Sequence, residues 1–210
     1  PSVASRELND TIAQVADRLG PIVFGRDEDT LQESLVDLLM KRGLTVTAAE
    51  SCTGGLVSKM ITDVQGASAV FPGGWVVYDN DLKIDELGVD PKALQDHGAV
   101  SGPVVEQMAR LALDRSGADI ALSITGIAGP TGGTEDKPVG TVWIGIAHRI
   151  PQPPTQEQND QQADDASPGD SDDQVDPVVT AREAEPEDGD DPLVVQSMQF
   201  HFPGSRAVVR

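Results

Sequence analysis

The chain has 210 residues, 38% of them hydrophobic, which suits one domain or one domain with an appendage. No apolar run is long enough to span a bilayer, no signal-peptide pattern opens the chain, and the lone Cys52 excludes an internal disulfide framework and fits a reducing cytoplasm. The formal charge of −20 is mostly local: residues 151–192 hold fourteen acids against Arg182 alone, so no basic nucleic-acid footprint exists and direct nucleic-acid binding is not expected.

Residues 1–24 carry a helical pattern (Ile12, Val15, Ala16, Leu19), then Gly20-Pro21 and the short apolar run Ile22-Val23-Phe24. This is too little to fold alone and reads as a linker or the tail of an upstream domain. The start at Pro1 in place of Met fits a piece of a longer chain. Asp27 to Lys41 predicts an amphipathic helix capped by Asp27 or Asp29, with Leu31, Leu35, Leu38 and Leu39 on one face and Gly43 at its end.

Leu44 to Ala48 is β-branched and apolar enough for a buried strand, and Leu56 to Ile61 returns to helical spacing. Between them Glu50-Ser51-Cys52-Thr53-Gly54-Gly55 must turn sharply and open a helix. Such a turn aims backbone N–H groups at one spot, suiting a phosphate or a developing oxyanion. Ser51 and Thr53 supply hydroxyls there, although either could equally be an N-cap. Cys52 could be a thiolate nucleophile, but no histidine is near it in sequence, and a lone cysteine is more often a packing residue.

Phe71-Pro72-Gly73-Gly74 breaks the chain, and Trp75 to Tyr78 reads as a strand. A short helix from Asn80 to Leu87 ends at Gly88. Pro91 starts another, and Ser101-Gly102-Pro103 opens a longer one through Arg115. Asp119 to Thr125 is an apolar strand that stops at the glycine-rich loop Gly126 to Gly133, and Val139 to Ala147 is a further strand. Residues 151–192, with seven prolines and almost no large apolar side chain, cannot offset their ordering entropy and read as a disordered acidic insert. Leu193 to Phe202 regains strand character and should pair with Val139–Ala147, making the insert an oversized hairpin loop. The interleaving predicts an α/β fold, a three-layer α/β/α sandwich with a mixed, mostly parallel sheet.

Ligands gather beyond the carboxyl ends of strands in such sheets, so Ser51–Gly55, Thr125–Gly133 and Tyr78–Lys83 should face one cleft. His97, His148 and His201 all lie outside these turns, which leaves a Ser-His-Asp triad poorly supported. Lys83, with its pKa lowered by desolvation, could act as the base for Ser51, with Tyr78 relaying a proton or positioning the serine. Taken alone, Lys83 would be a solvated helix lysine and Tyr78 a packed strand aromatic.

The segments Ala49–Gly55 (AESCTGG), Trp75–Lys83, Leu87–Asp90 (LGVD), His97–Ser101 (HGAVS), Ile124–Gly133 (ITGIAGPTGG) and Lys137–Gly145 (KPVGTVWIG) together resemble the C-terminal amidohydrolase domain of the CinA family. They occur in family order over residues 27–150, with 193–209 as the last strand and its exit, and 25–210 is taken as the domain. The resemblance implies deamidation of nicotinamide mononucleotide in a cytoplasmic homodimer, without metal or cofactor. It implies Ser51 as nucleophile, Lys83 as base and Tyr78 as assistant. Thr125 matches a threonine lining the family's site. Backbone amides around Cys52–Gly55 would stabilise the oxyanion, and the phosphate would lie against the Thr125–Gly133 loop or Lys137. The expected substrate-contacting set is therefore Glu50, Cys52, Thr53, Gly54, Gly55, Thr125, Gly126, Gly129 and Lys137.

The chain departs from the family pattern in three places. Asp79 stands where the family usually has serine, and a pairing with Lys83 would raise the lysine's pKa and oppose a base role. The acidic insert is foreign to the pattern. The chain stops at Arg210, where a C-terminal helix usually follows, so an apolar sheet face should lie exposed. Competing readings are a nucleotide-binding module without turnover and a partner-protein role linked to competence or recombination.

Overall fold

A computed structural model of the protein describes residues 3–149 and 193–209. The expected acidic insert of 151–192 lies outside them. The elements in chain order are α1 (Val3–Leu19), α2 (Leu31–Arg42), β1 (Val46–Glu50), α3 (Leu56–Thr62), β2 (Gly74–Val76), α4 (Asn80–Leu82), α5 (Pro91–His97), α6 (Gly102–Ser116), β3 (Ile120–Gly126), β4 (Thr141–Arg149), β5 (Leu193–His201) and α7 (Arg206–Val209).

The five strands form one sheet in the order β2-β1-β3-β4-β5. β1 runs parallel to β2 and β3, β4 opposes β3, and β5 opposes β4, so four strands share a direction. The sheet is thus mixed and mostly parallel, and the β4–β5 pairing is the expected hairpin. The alternation along β1 and β3 separates two cores. Ala49 and Ala121 face one side with Val104, Met108 and Leu113 of α6, while Val46, Ile120 and Leu122 face the other with Val36 and Leu39 of α2 and Ile61 of α3. This makes the three layers. Beyond α3 the second face continues over Leu122, Ile144, Ile146, Met198 and Phe200, which line an open groove of about 240 Å³.

Two local expectations are corrected. α2 is capped by Thr30, not by Asp27 or Asp29: the Thr30 hydroxyl accepts from the Glu33 amide while the Glu33 carboxylate accepts from the Thr30 amide. This reciprocal capping box satisfies two backbone donors at once, whereas Asp27 has φ 51 and Asp29 binds the Arg26 amide. The segment after β2 is not one α-helix either. α4 is a single turn that widens into a π-helical turn over Lys83–Leu87, closed at Gly88. Such widened turns commonly re-aim one side chain, here Lys83, which is turned inward.

The register decides what meets what. Glu50 pairs with Val76 and Ile124, Gly126 pairs with Val142, and Thr141 pairs with His201. The ends of β1, β2, β3 and β5 therefore share one edge of the sheet. Arg149 and Leu193, which flank the acidic insert, pair at the opposite edge.

Candidate active site

Ser51 follows β1 directly and is 8% exposed. Its amide donates to the Ile124 carbonyl at 2.9 Å, which fixes it against the end of β3. The chain then turns through Gly54 and Gly55, whose φ values of 62° and 95° require the left-handed region. Gly55 is the N-cap residue of α3 and has no side chain to cap with.

The cap comes instead from Glu50, whose placement differs from expectation. Glu50 is the last residue of β1 rather than part of the turn, is fully buried, and presents its carboxylate to the chain's own donors rather than to a cleft. Its oxygens accept from the amides of Gly55 (3.0 Å), Val57 (3.1 Å) and Ser58 (2.8 Å) and from the Ser58 hydroxyl (2.7 Å). Burial pushes its pKa up, but the hydrogen bonds of Ser58, Thr53 and Val57 outweigh that, so the carboxyl lies below its ordinary value and is ionised at neutral pH. The Gly54 amide is likewise taken, by the Ser51 carbonyl. Of the amides expected to face an anion, those of Gly54 and Gly55 are thus engaged within the turn.

Lys83 is 1% exposed and approaches Ser51 from the π-helical turn. Its Nζ lies 3.1 Å from Ser51 Oγ, 2.8 Å from the Val77 carbonyl and 3.2 Å from the Tyr78 carbonyl. Two N–H groups satisfy the two carbonyls in either protonation state. The third position points at Ser51 Oγ and carries a proton in the ammonium form and a lone pair in the amine form. Desolvation lowers the Lys83 pKa, with Asp79 and Cys52 opposing it, and the net direction is down. Asp79 does not pair with Lys83; its carboxylate accepts from the Asp81 amide and caps α4. A desolvated amine hydrogen-bonded to a hydroxyl is an arrangement able to deprotonate that hydroxyl.

Tyr78 contributes differently from expectation. Its carbonyl helps hold Lys83, but its side chain is 54% exposed and its hydroxyl accepts from Arg206 Nη2 at 2.7 Å rather than touching Ser51. Arg206 also donates through Nη1 to the Gly129 carbonyl at 2.9 Å. This arginine was missed in the sequence, although the expected hairpin carries the exit of its last strand back to the sheet edge that holds Ser51.

Thr125 is 1% exposed and donates to the Ala99 carbonyl, tying the His97–Ser101 loop to the end of β3, and Lys137 donates to the His97 carbonyl at 2.7 Å, tying the same loop to the β3–β4 connection. Gly126 is a close approach: a Cβ there would stand 2.9 Å from Val142 Cγ2 and 3.1 Å from Cys52 Sγ. Gly129 is packed under Val139 in the same way. Cys52 itself is buried at this contact, with Ile124, Ala128 and Val142. No group of three or more histidine, cysteine, aspartate or glutamate side chains that could hold a metal occurs among the described residues.

The layered fold and the buried serine–lysine pair at one edge of its sheet define an α/β protein with a hydroxyl and an amine in direct contact. Residues 28–165 match the CinA C-terminal domain model, and the chain belongs to that family. It is 53% identical over 140 residues to a CinA-like protein of Chlorobaculum tepidum, covering 67% of this chain and 33% of that one. It is 51% identical over 146 residues to a putative competence-damage inducible protein of Caldicellulosiruptor saccharolyticus, covering 70% and 36%. The chain spans about a third of the length of these curated relatives. Among solved structures it is similar to the competence/damage inducible protein CihA of Agrobacterium tumefaciens (TM-score 0.57, 45% identity, 60% of this chain and 77% of that one). It is also similar to a competence-damaged protein (CinA) superfamily protein of Escherichia coli (TM-score 0.63, 26% identity, 92% and 89%).

Proposed function

We propose that the protein is a serine amidohydrolase that converts nicotinamide mononucleotide to nicotinate mononucleotide and ammonia. The observation that carries this reading is the 3.1 Å contact between Lys83 Nζ and Ser51 Oγ, both buried, with the other Lys83 donors fixed on carbonyls. Lys83 takes the Ser51 hydroxyl proton as Oγ bonds to the carboxamide carbon. Collapse of the tetrahedral intermediate breaks the C–N bond, and the Lys83 ammonium returns the proton to the leaving ammonia. Water then attacks the acyl-enzyme, Lys83 accepts its proton, and that proton restores the serine.

Arg206, exposed beside Tyr78, carries a guanidinium fork whose chemistry suits the substrate's phosphate. The Thr125–Gly133 loop and Lys137 complete the substrate side of the proposal. In this reading 25–210 is the catalytic domain, 1–24 a linker or the tail of an upstream domain, and the working form a cytoplasmic homodimer. No helix among the described residues is long and apolar enough to cross a membrane.

The names of these relatives, which mention competence and damage induction, support a second reading, a non-catalytic nucleotide-binding or partner-protein module linked to competence or recombination. Ammonia release from nicotinamide mononucleotide separates the two. The amidohydrolase should turn over and Ser51→Ala should not; turnover no greater than that of Ser51→Ala would sink the enzymatic reading, and nucleotide binding without turnover would support the module.

A further inference from the structure

We infer that Glu50 is the positioning residue of the nucleophile turn, holding Ser51 at the distance from Lys83 that proton transfer requires. The inference rests on the reading of Ser51 as nucleophile. It begins from the placement of a fully buried carboxylate one residue before the reacting hydroxyl.

Two sets of contacts converge on Glu50. Through its backbone it is joined to the lysine side of the site: the Val77 amide donates to the Glu50 carbonyl at 2.8 Å, and the Val77 carbonyl accepts from Lys83 Nζ. With the Lys83 contact to Ser51 Oγ this closes a ring of hydrogen bonds and covalent chain through Glu50, Ser51, Lys83 and Val77. Through its side chain Glu50 grips the far end of the same turn, at the amides of Gly55, Val57 and Ser58 and the Ser58 hydroxyl. Residues 51–54 are therefore a short loop anchored at both ends by one residue. Gly54 in that loop and Gly55 at its end have left-handed φ values and no side chain to pack, so the carboxylate adds to the Ser51–Ile124 hydrogen bond and the packing of Cys52 in limiting the loop's excursions.

An ordinary N-cap would satisfy one or two α3 amides from within the turn. Glu50 reaches the same donors from the strand, so β1 and α3 cannot shift relative to each other without breaking charge-assisted hydrogen bonds in a buried setting. A misplacement of the nucleophile of about 1 Å costs on the order of a hundredfold in rate.

The test compares wild type, Glu50→Gln and, as a destabilised control far from the site, Thr30→Ala. Gln keeps the shape of Glu but turns an NH₂ toward backbone donors. Three quantities are read well below the melting temperature: kcat and KM for nicotinamide mononucleotide, the rate at which a fluorophosphonate labels Ser51, and amide hydrogen exchange at Gly55, Val57 and Ser58. Glu50→Gln should lower kcat and the labelling rate together by roughly 10- to 100-fold with little change in KM, and should speed exchange at the three amides. Thr30→Ala should lower stability while leaving all three unchanged per folded molecule. Wild-type kcat and labelling in Glu50→Gln, or exchange at the three amides no faster than in wild type, would overturn the inference. A wild-type protein that neither turns over nor labels at Ser51 would refute the nucleophile reading itself, and the exchange measurement would then still decide whether Glu50 holds the turn.

Discussion

Asp79 and Lys83 are joined by a backbone hydrogen bond, the Lys83 amide donating to the Asp79 carbonyl at 3.2 Å, yet their side chains point to different tasks. The Asp79 carboxylate caps α4 through the Asp81 amide, and the Lys83 amine reaches Ser51. The aspartate still acts on the lysine through space, as a minor influence that raises its pKa against the larger lowering by burial. This arrangement leaves Asp79 as an electrostatic influence on Lys83 rather than its ion-pair partner.

Asp79→Ser should therefore lower the Lys83 pKa further. If Lys83 must be neutral to act, kcat/KM rises with pH through that pKa, so the acidic limb of the profile should move to lower pH in the variant. A pH–rate profile of both proteins checks it, and an acidic limb displaced upward would contradict the assignment.

Lys83→Met should reduce kcat by about 10²- to 10⁴-fold, the range for losing a positioned general base. The same change should not lower the melting temperature at neutral pH. Lys83 has a depressed pKa in the folded state, so the unfolded chain binds the proton more tightly. Its burial therefore opposes folding, and stability rises as pH climbs from the folded pKa toward the ordinary lysine value of 10.5. Thermal melts across that range should show this rise in wild type and not in Lys83→Met.

For Glu50 the sign is reversed. Its folded pKa lies below the ordinary 4.5, so its contribution is fully present above pH 4.5 and is lost as pH falls through the folded value. Acid titration of stability should be shallower in Glu50→Gln than in wild type over that interval.

Arg206→Ala should raise KM for nicotinamide mononucleotide by about tenfold, the equivalent of one lost charge-assisted contact, and should affect nicotinamide riboside, which has no phosphate, much less. Arg206→Lys should recover only part of the loss, because a single ammonium cannot span the Gly129 carbonyl and the Tyr78 hydroxyl as the guanidinium fork does. Steady-state kinetics on both substrates distinguish this from general damage.

Gly126→Ala should destabilise the protein by about 1–3 kcal/mol, the usual cost of overpacking, because its Cβ would press on Val142 Cγ2, the Thr141 carbonyl and Cys52 Sγ. Denaturant midpoints measure this directly. An unchanged midpoint would show that β3 and β4 part more easily than their spacing indicates.

Strand and helix identities were legible along most of residues 27–147, because apolar spacing, glycine stops and prolines act locally. Residues 44–48 were apolar enough to be a strand wherever its ends fell, and Gly43 and Gly88 ended their elements as glycine should. The chemistry-bearing types at Ser51, Tyr78 and Lys83 were also readable, as was their shared edge of the sheet. What the linear chain could not contain were the contacts set by register and by one widened helical turn. That Glu50 faces α3 rather than a ligand follows from which side of β1 it occupies. The Tyr78 hydroxyl turns to Arg206, 128 positions away, because β5 returns its exit to the sheet edge that holds Ser51. Lys83 meets Ser51 and not Asp79 because burial beneath two carbonyls orients its amine, and burial is a property of the packed fold.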